Sequence, residues 1–265
     1  MSKTLFISDS QIGSSLRGAE QCDQIIYNSL DVDFMTCAEF NIKRLKTDKY
    51  LISNFAQLSI TAKDYLSNKN YSIISHDFLI LPTRDPTPYE NFGVDPAHLI
   101  NIEFFNNAKV NFCQSSFQAS IFLKNGVKNC YSWEGNLWTE QTISELVQLG
   151  KNAKNGRGAI IDDPYKNTKE SLNWAQHFKI SVDLIPKMEY ASFLSKLSEY
   201  SVYIFNCGLV ESFCRILLEA KLMNLVCLTN RLCGATYTEL YNYNGAELGV
   251  KLNEKREEIL KLLTE

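Results

Sequence analysis

Two glutamates in the second half of the sequence, Glu211 and Glu219, have a spacing that suits chemistry on a ligand. They follow the apolar run 202–205 and a loop that contains Gly208. An apolar run, a glycine loop and a helical pattern predict a strand, a loop and a helix from Glu211 to Met223. The N-terminus of such a helix lies at the carboxyl edge of a parallel sheet, where anionic ligands bind.

On one helix, the step from Glu211 to Glu219 turns by about 800° and rises roughly 12 Å. This spacing predicts Glu211 at the mouth of the loop and Glu219 deeper along the same side. Two separated carboxylates suit two parts of one elongated polyhydroxyl ligand. The alternative is an ordinary helix, in which the first glutamate complements the helix dipole and the second is solvated.

The composition indicates a globular protein with a sizeable core. The 265 residues suit one large domain or two lobes, and 45% of them are hydrophobic. A net charge of −3 shows no overall nucleic-acid signature. The eight cysteines are scattered without a C-x-x-C pair. With no signal peptide and no transmembrane stretch predicted, we expect a reduced cytoplasmic protein, in the host cytoplasm if the chain is viral.

Short apolar runs alternate with helical patterns along the whole chain, which predicts α/β units with mostly parallel sheets. The predicted strands are 4–7, 32–35, 50–53, 71–75, 110–113, 129–131, 158–161, 182–185, 202–205 and 225–229. The predicted helices are 22–30, 60–66, 96–105, 115–124, 139–149, 167–178, 190–197, 211–223 and 254–263.

A polar, basic segment at 151–157 interrupts the alternation and predicts a domain boundary. We therefore expect an N-terminal Rossmann-like lobe at 1–152, a second at 153–252 and a C-terminal helix at 253–265. Two successive units of this kind predict two lobes with parallel sheets that face a cleft.

Several polar side chains follow predicted strands. His76 ends one strand, with Asp77 and Arg84 close behind it. A histidine at a strand end in a cleft hydrogen-bonds a sugar hydroxyl or transfers a proton, and the alternative is a structural histidine that caps the sheet edge. Lys166 precedes a predicted helix, where its charge adds to the anion-binding character of the helix N-terminus. Arg215 serves the same purpose or is a surface charge.

Other motifs exclude several classes of site. The loop after the first strand contains Gly18, but neither G-x-G-x-x-G nor a P-loop motif. Neither Asp31-x-Asp33 nor Asp162-Asp163 is predicted to bind a metal. The three histidines are too dispersed for a metal-ligand set. No G-x-S-x-G motif supports a hydrolase.

In their order along the chain, these segments resemble the retaining glycosyltransferases of the GT-B fold, in particular the Glu-x7-Glu, family 4-like type. The hallmark is Glu211 to Glu219 followed by Ala220. The compact, Asn- and Lys-rich sequence also has a viral, phage-like character. The supporting matches are Arg17–Glu20, Ser75–Phe78, Arg84–Pro86, Asn107–Val110, Cys113–Ser115, Pro186–Tyr190 and Asn230–Ala235.

The resemblance implies a metal-independent hexosyl- or pentosyltransferase with no cofactor and a nucleotide-sugar co-substrate, expected to be a UDP-sugar. By analogy, Glu219 binds the ribose, Glu211 the donor sugar and Lys166 the diphosphate. His76 contacts the sugar, and the Gly18 loop approaches the diphosphate. The further donor-binding candidates are Arg215, Gly208, Leu209, Val210, Ser212 and Phe213, and those on the acceptor side are Arg17, Asp77 and Arg84.

The expected acceptor is a hydroxyl of a glycan or lipopolysaccharide, or a hydroxymethylated base in phage DNA. The basic run 43–46, with Lys49, suits DNA phosphates, and the alternative is a solvated helix face. The sequence departs from the family at Ile161, where an arginine is usual, and at Asn167, where glycine is common. Arg215 or Arg157 is a candidate to replace the arginine. The alternatives to a transferase are a non-catalytic nucleotide-sugar or carbohydrate binding module, and a nucleotide-sugar epimerase.

Overall fold

The computed structural model describes residues 3–13, 18–45, 47 and 49–264. Contacts between residues divide the chain into two compact units, Met1–Leu137 with Glu258–Glu265 and Trp138–Glu257. We call them the N-terminal lobe and the C-terminal lobe. Their division falls before residues 140–149, whereas the boundary predicted from the sequence falls after them, because the polar segment near 151 is a loop inside the second unit.

The N-terminal lobe is built on a six-stranded parallel sheet in the order β2-β1-β3-β4-β5-β6. Its strands are β1 (Thr4–Ser8), β2 (Val32–Thr36), β3 (Lys49–Ser53), β4 (Asn70–Ser75), β5 (Asn111–Cys113) and β6 (Cys130–Ser132). Its helices are α1 (Gly18–Ser29), α2 (Ile60–Leu66), α3 (Ile102–Asn107) and α4 (Ser116–Lys124).

The C-terminal lobe is built on a four-stranded parallel sheet in the order β10-β9-β7-β8. Its strands are β7 (Gly158–Ile161), β8 (Val182–Ile185), β9 (Val202–Phe205) and β10 (Val226–Thr229). Its helices are α5 (Glu140–Leu149), α6 (Thr168–His177), α7 (Tyr190–Leu197) and α8 (Arg215–Leu222). Helix α9 (Gly245–Thr264) begins in this lobe and belongs to the N-terminal lobe from Glu258 on.

The ten predicted strands are all present, each within one residue of its expected ends. Strands of a parallel sheet that is covered on both faces read as continuous apolar runs, which makes them easy to find in a sequence. Phe6 and Ile74 are fully buried in the N-terminal lobe, and Tyr203 and Ile204 are buried in the C-terminal lobe.

The predicted helix ends are less accurate. The expected helix 96–105 is a 3₁₀ turn (Pro96–His98) followed by α3, because Asn101 adopts a left-handed backbone with a φ of 59°. The helix expected to begin at Glu211 begins four residues later, at Arg215, after Cys214 takes a φ of 73°. The argument from helical rotation between Glu211 and Glu219 is therefore wrong.

Helix α9 is longer than predicted and begins at Gly245. Leu248 and Leu252 pack in the core of the C-terminal lobe, and Ile259 packs in the core of the N-terminal lobe. In the described part of the chain, no helix combines the length and the apolar character that crossing a bilayer requires.

Candidate functional site

The candidate site in the C-terminal lobe is formed by the loops that follow β7, β9 and β10. Strand β9 lies between the other two in the sheet, so the three loops leave the same carboxyl edge next to one another. In parallel α/β sheets this edge is the usual ligand position. The loop after β7 carries Lys166, the loop after β9 carries Glu211, and the loop after β10 carries Cys233.

Lys166 and Glu211 form an ion pair across two of these loops. The distance from Lys166 Nζ to Glu211 Oε1 is 2.5 Å, and both side chains are about two-thirds or more buried. The Lys166 ammonium also lies 5.5 Å from the centre of the Phe205 ring. The sequence predicted both residues, and the structure brings them together although 45 positions separate them.

Two opposing effects act on the pKa of Lys166. Burial is the largest single effect and disfavours the ammonium form, but the charge and hydrogen bond of Glu211, together with Cys214 and Cys207, outweigh it and raise the pKa above its ordinary value. Lys166 therefore keeps its positive charge at any physiological pH. A permanent cation at a strand edge suits the diphosphate of a nucleotide ligand.

The loop after β9 is held by two asparagine side chains. Asn167 Nδ2 donates to the Asn206 carbonyl at 3.0 Å, and Asn230 Nδ2 donates to the Cys207 carbonyl at 2.8 Å. Asn167 has a φ of 57°. Glycine adopts this left-handed backbone at no cost, and asparagine tolerates it better than most other residues. A Cβ at Gly208 would lie 3.0 Å from the Asn167 side chain, so a larger residue there would force Asn167 to shift.

Glu211 lies in an extended segment and not on a helix. Its amide donates to the Leu232 carbonyl at 2.9 Å, and its carbonyl accepts from the Gly234 amide at 2.9 Å. The Glu211 amide is therefore already used within the protein. Among the other loop candidates, Leu209 is exposed, Gly208 and Ser212 are half-buried, and Val210 and Phe213 are buried.

Glu219 lies in a second cluster, in the first turns of α8. It is fully buried, so the alternative of a solvated glutamate is wrong. Its Oε1 accepts from Trp138 Nε1 at 2.9 Å and from the Tyr190 hydroxyl at 2.6 Å. Arg215 Nε lies 3.6 Å from the same oxygen, and the Arg215 guanidinium lies 4.3 Å from the centre of the Trp138 ring.

The second carboxylate oxygen, Glu219 Oε2, is buried and has no hydrogen-bond partner among the described residues. An unsatisfied buried acceptor costs on the order of 1–3 kcal/mol, and more when it is charged. A carboxylate with one oxygen bound by the protein and one oxygen unused is suited to accept a hydroxyl hydrogen from a ligand.

Each candidate for the arginine that the resemblance implies at position 161, Arg157 or Arg215, pairs with a carboxylate of the protein. Arg157 precedes β7 and pairs with Asp183 through bonds of 2.8 and 2.5 Å, at the opposite edge of the sheet from Lys166. Arg215 pairs with Glu219. Three cationic side chains were candidates for binding a diphosphate: Lys166, Arg157 and Arg215. Of these, Lys166 is the one that lies beside the loops at this edge of the sheet.

In the N-terminal lobe, His76 belongs to a buried polar network at the carboxyl edge of the sheet. Its Nε2 lies 3.1 Å from Asp23 Oδ1, and its Nδ1 lies 2.6 Å from Gln114 Nε2. Asp23 also accepts from the hydroxyls of Ser8 and Ser53 at 2.7 and 2.6 Å. The network therefore joins the ends of four strands.

The partners of His76 define which ring nitrogen carries the proton. A carboxylate only accepts, so Nε2 donates to Asp23. Gln114 Oε1 accepts from Asn136 at 3.2 Å, which leaves the Gln114 amide to donate to Nδ1. Both ring nitrogens of His76 therefore hydrogen-bond to side chains of the protein. This arrangement favours the alternative of a structural histidine that caps the edge of the sheet.

Asp23 was missed in the sequence analysis. It lies on the buried face of α1, next to Cys22 and three positions before Ile26. A carboxylate within the apolar stripe of a helix is a signal for a buried polar network, because an isolated charge there would be too costly. The sequence also offered no reason to select Trp138, because a single tryptophan in a connecting segment does not indicate a buried polar site.

Asp77 and Arg84 form a partly exposed pair, with 2.9 Å between Asp77 Oδ2 and Arg84 Nη1. Several side-chain oxygens at or just beyond the carboxyl ends of the strands of this lobe are buried and have no partner among the described residues. They are Asn54 Oδ1, Ser75 Oγ, Asp77 Oδ1 and Glu134 Oε2. Acceptor atoms without donors suit a ligand that supplies hydroxyl groups.

Burial raises the pKa of Asp77, and the charge of Arg84 offsets this only in part. A raised pKa means that the folded state binds the proton more tightly than the unfolded state. Stability is therefore lost as the pH rises from about 4, the unfolded pKa, through the folded value.

We expect Asp77→Asn to gain stability relative to the parent over that window in urea denaturation, with exposed Asp64→Asn as control. An advantage that does not grow with pH would contradict this.

The remaining candidates are placed as follows. Gly18 begins α1, and Arg17 lies outside the described residues. Asp31 and Asp33 both pair with Lys3, at 2.9 and 3.3 Å, at the amino end of β2. The described residues contain no group of three or more His, Cys, Asp or Glu side chains that could hold a metal ion. The eight cysteines are free thiols.

Two parallel α/β sheets, each in its own lobe and each with polar loops at its carboxyl edge, define the two-lobed Rossmann-like fold of the GT-B glycosyltransferases. The chain is similar to OtsA in its apo structure, with a TM-score of 0.61, 8% identity, and coverage of 98% of this chain and 95% of OtsA. It is also similar to Anabaena HepE in complex with UDP and glucose, with a TM-score of 0.56, 13% identity, and coverage of 97% and 89%.

A second HepE structure, in complex with UDP-glucose, matches with a TM-score of 0.52, 12% identity, and coverage of 97% and 89%. No protein-family model and no curated protein sequence matches the chain. Identities this low show a shared fold.

Proposed function

We propose that this protein is a glycosyltransferase that moves a sugar from a nucleotide-sugar donor, a UDP-sugar, to a hydroxyl acceptor. The observation that carries the proposal is Glu219, a fully buried carboxylate with one oxygen bound by the protein and the other without a partner among the described residues. A ribose hydroxyl supplies the missing donor. The complexes of HepE with UDP and with UDP-glucose support the choice of nucleotide.

The ion pair of Lys166 and Glu211 has two functions in this proposal. When the donor binds, the Lys166 ammonium moves from Glu211 to the diphosphate and stabilises the charge that develops on the leaving group. Such electrostatic stabilisation is usually the largest single contribution in a transfer reaction. Glu211 then accepts hydrogen bonds from hydroxyls of the donor sugar.

The buried network around His76 holds the carboxyl edge of the N-terminal lobe, where we place the acceptor. Oxygen acceptors without partners at this edge favour a carbohydrate hydroxyl over a DNA acceptor, whose phosphates would be repelled by the Glu134 carboxylate. We further propose transfer with retention at the anomeric carbon and without a metal ion. Activity in excess EDTA and the anomeric configuration of the product test these two points.

The test of the function is a panel of nucleotide sugars with a nucleotide-release readout. We expect release with a UDP-sugar, and we expect Glu211→Ala to lower kcat/KM by about 10–100-fold, the worth of a hydrogen bond to a charged group. Exposed Glu247, in the first turn of α9, provides the control Glu247→Ala.

Equal rates in Glu211→Ala and the parent protein would remove Glu211 from the donor site. Tight UDP binding without turnover of any sugar in the panel would support a nucleotide-sugar binding module instead.

A further inference from the structure

Glu219 accepts all of its protein hydrogen bonds on one oxygen. Trp138 and Tyr190 donate to Oε1, and Arg215 Nε approaches the same atom, whereas Oε2 receives no donor from the described residues. A carboxylate that is held in this way cannot rotate to exchange its two oxygens without breaking both bonds. Its unused oxygen therefore points in one fixed direction.

Tyr190 differs from the other members of this cluster in its exposure. Trp138, Arg215 and Glu219 are 1%, 9% and 0% exposed, and Tyr190 is half-buried. Burial and the negative charge of Glu219 raise the pKa of the Tyr190 hydroxyl. Tyr190 thus remains a protonated donor to the carboxylate. Because it lies at the solvent side of the cluster, it is also the member that can be changed with the least damage to the core.

We propose that Tyr190 is a positioning residue that fixes the Glu219 carboxylate through Oε1 and thereby directs Oε2 to a vicinal diol of the ligand, the ribose of the nucleotide. This inference rests on the proposed function. Tyr190 itself does not contact the reacting atoms, and it acts through Glu219. An oxygen that is oriented before the ligand arrives binds more tightly, because less ordering remains to be done on binding.

The experiment compares UDP with 2′-deoxy-UDP and 3′-deoxy-UDP by calorimetry, in the full chain and in Tyr190→Phe. The parent protein is expected to bind at least one deoxy analogue about tenfold more weakly than UDP, the worth of one hydrogen bond to a charged group. In Tyr190→Phe that ratio is expected to fall to roughly threefold or less. Turnover is expected to show a raised KM for the donor and an unchanged kcat.

A matched control exists in the same lobe. Tyr243 also donates its hydroxyl to a glutamate, Glu239, at 2.6 Å, but on the exposed surface. Tyr243→Phe removes the same kind of bond, and we expect it to leave the ribose preference unchanged. Both variants lose one oxygen and keep the aromatic ring, and binding is measured well below their melting temperatures.

The outcomes distinguish a failure of the ribose contact of Glu219 from a failure of the positioning of Glu219 by Tyr190. If the parent protein binds UDP and both deoxy analogues equally well, the ribose function of Glu219 is wrong, and the inference is wrong with it. If the parent protein and Tyr190→Phe both prefer UDP over the deoxy analogues to the same extent, the ribose contact of Glu219 is supported and the positioning function of Tyr190 is refuted. A fall in kcat at unchanged KM also contradicts it, because that pattern belongs to a residue at the reacting centre.

Discussion

Replacing Lys166 with methionine is expected to lower kcat by about 10²–10³, the usual loss when one electrostatic partner of a developing charge is removed. Methionine preserves an unbranched side chain and removes the cation that lies over the Phe205 ring. Because negative charge builds up on the diphosphate during transfer, we expect donor affinity to fall less than kcat. Steady-state kinetics with the UDP-sugar chosen from the panel measure both quantities.

The matched control for this change is Lys169→Met, because Lys169 is exposed and lies three residues further along, in α6. We expect it to leave kcat unchanged. The contact of Lys166 with Glu211 also predicts that the two residues act as a unit, so the loss in the double variant Lys166→Met, Glu211→Gln is smaller than the sum of the single losses. A kcat in Lys166→Met within twofold of the parent would exclude leaving-group stabilisation by this residue.

Replacing Glu219 with glutamine is expected to weaken UDP binding by about 10–100-fold, which corresponds to roughly 1.5–3 kcal/mol for a hydrogen bond to a charged acceptor. The glutamine oxygen can still accept from Trp138 and Tyr190. Its amide group then replaces Oε2 and no longer accepts from a ribose hydroxyl. Isothermal calorimetry with UDP measures the loss.

The same substitution removes the charge opposite Arg215, which is buried. We therefore also expect the free energy of unfolding to fall, by about 3–5 kcal/mol at most, since an uncompensated buried charge is costly. Glu239→Gln, at the exposed glutamate that binds Tyr243, is the control for both measurements. Normal UDP affinity in a folded Glu219→Gln protein would show that the ribose assignment is wrong.

Much of the fold can be predicted from the sequence. The strands in the middle of each sheet are apolar runs, because both of their faces are buried, and the edge strands are short runs between polar loops. Helix ends are harder to predict, because they depend on single backbone angles. Asn101 and Cys214 take left-handed conformations that end or delay a helix, and neither residue type requires this.

By itself, the sequence determined the α/β architecture and the strand-end positions of Lys166 and His76. Local patterns suffice for this, since periodicity and loop residues act over a few positions. The tertiary structure alone decided what each side chain contacts. It placed Glu211 in an extended loop segment beside Lys166, and it buried Glu219 among side chains from α7, α8 and the start of the lobe.

Glu211 and Glu219 therefore differ more in their surroundings than a pair of glutamates eight residues apart on one predicted helix would suggest. Glu211 is partly buried in a loop and pairs with one cation, Lys166, whereas Glu219 is fully buried and held through one oxygen. Contacts across 29 and 81 positions, to Tyr190 and Trp138, create that difference. A pattern read along the chain carries no information about such contacts, because chain packing and not sequence separation brings these side chains together.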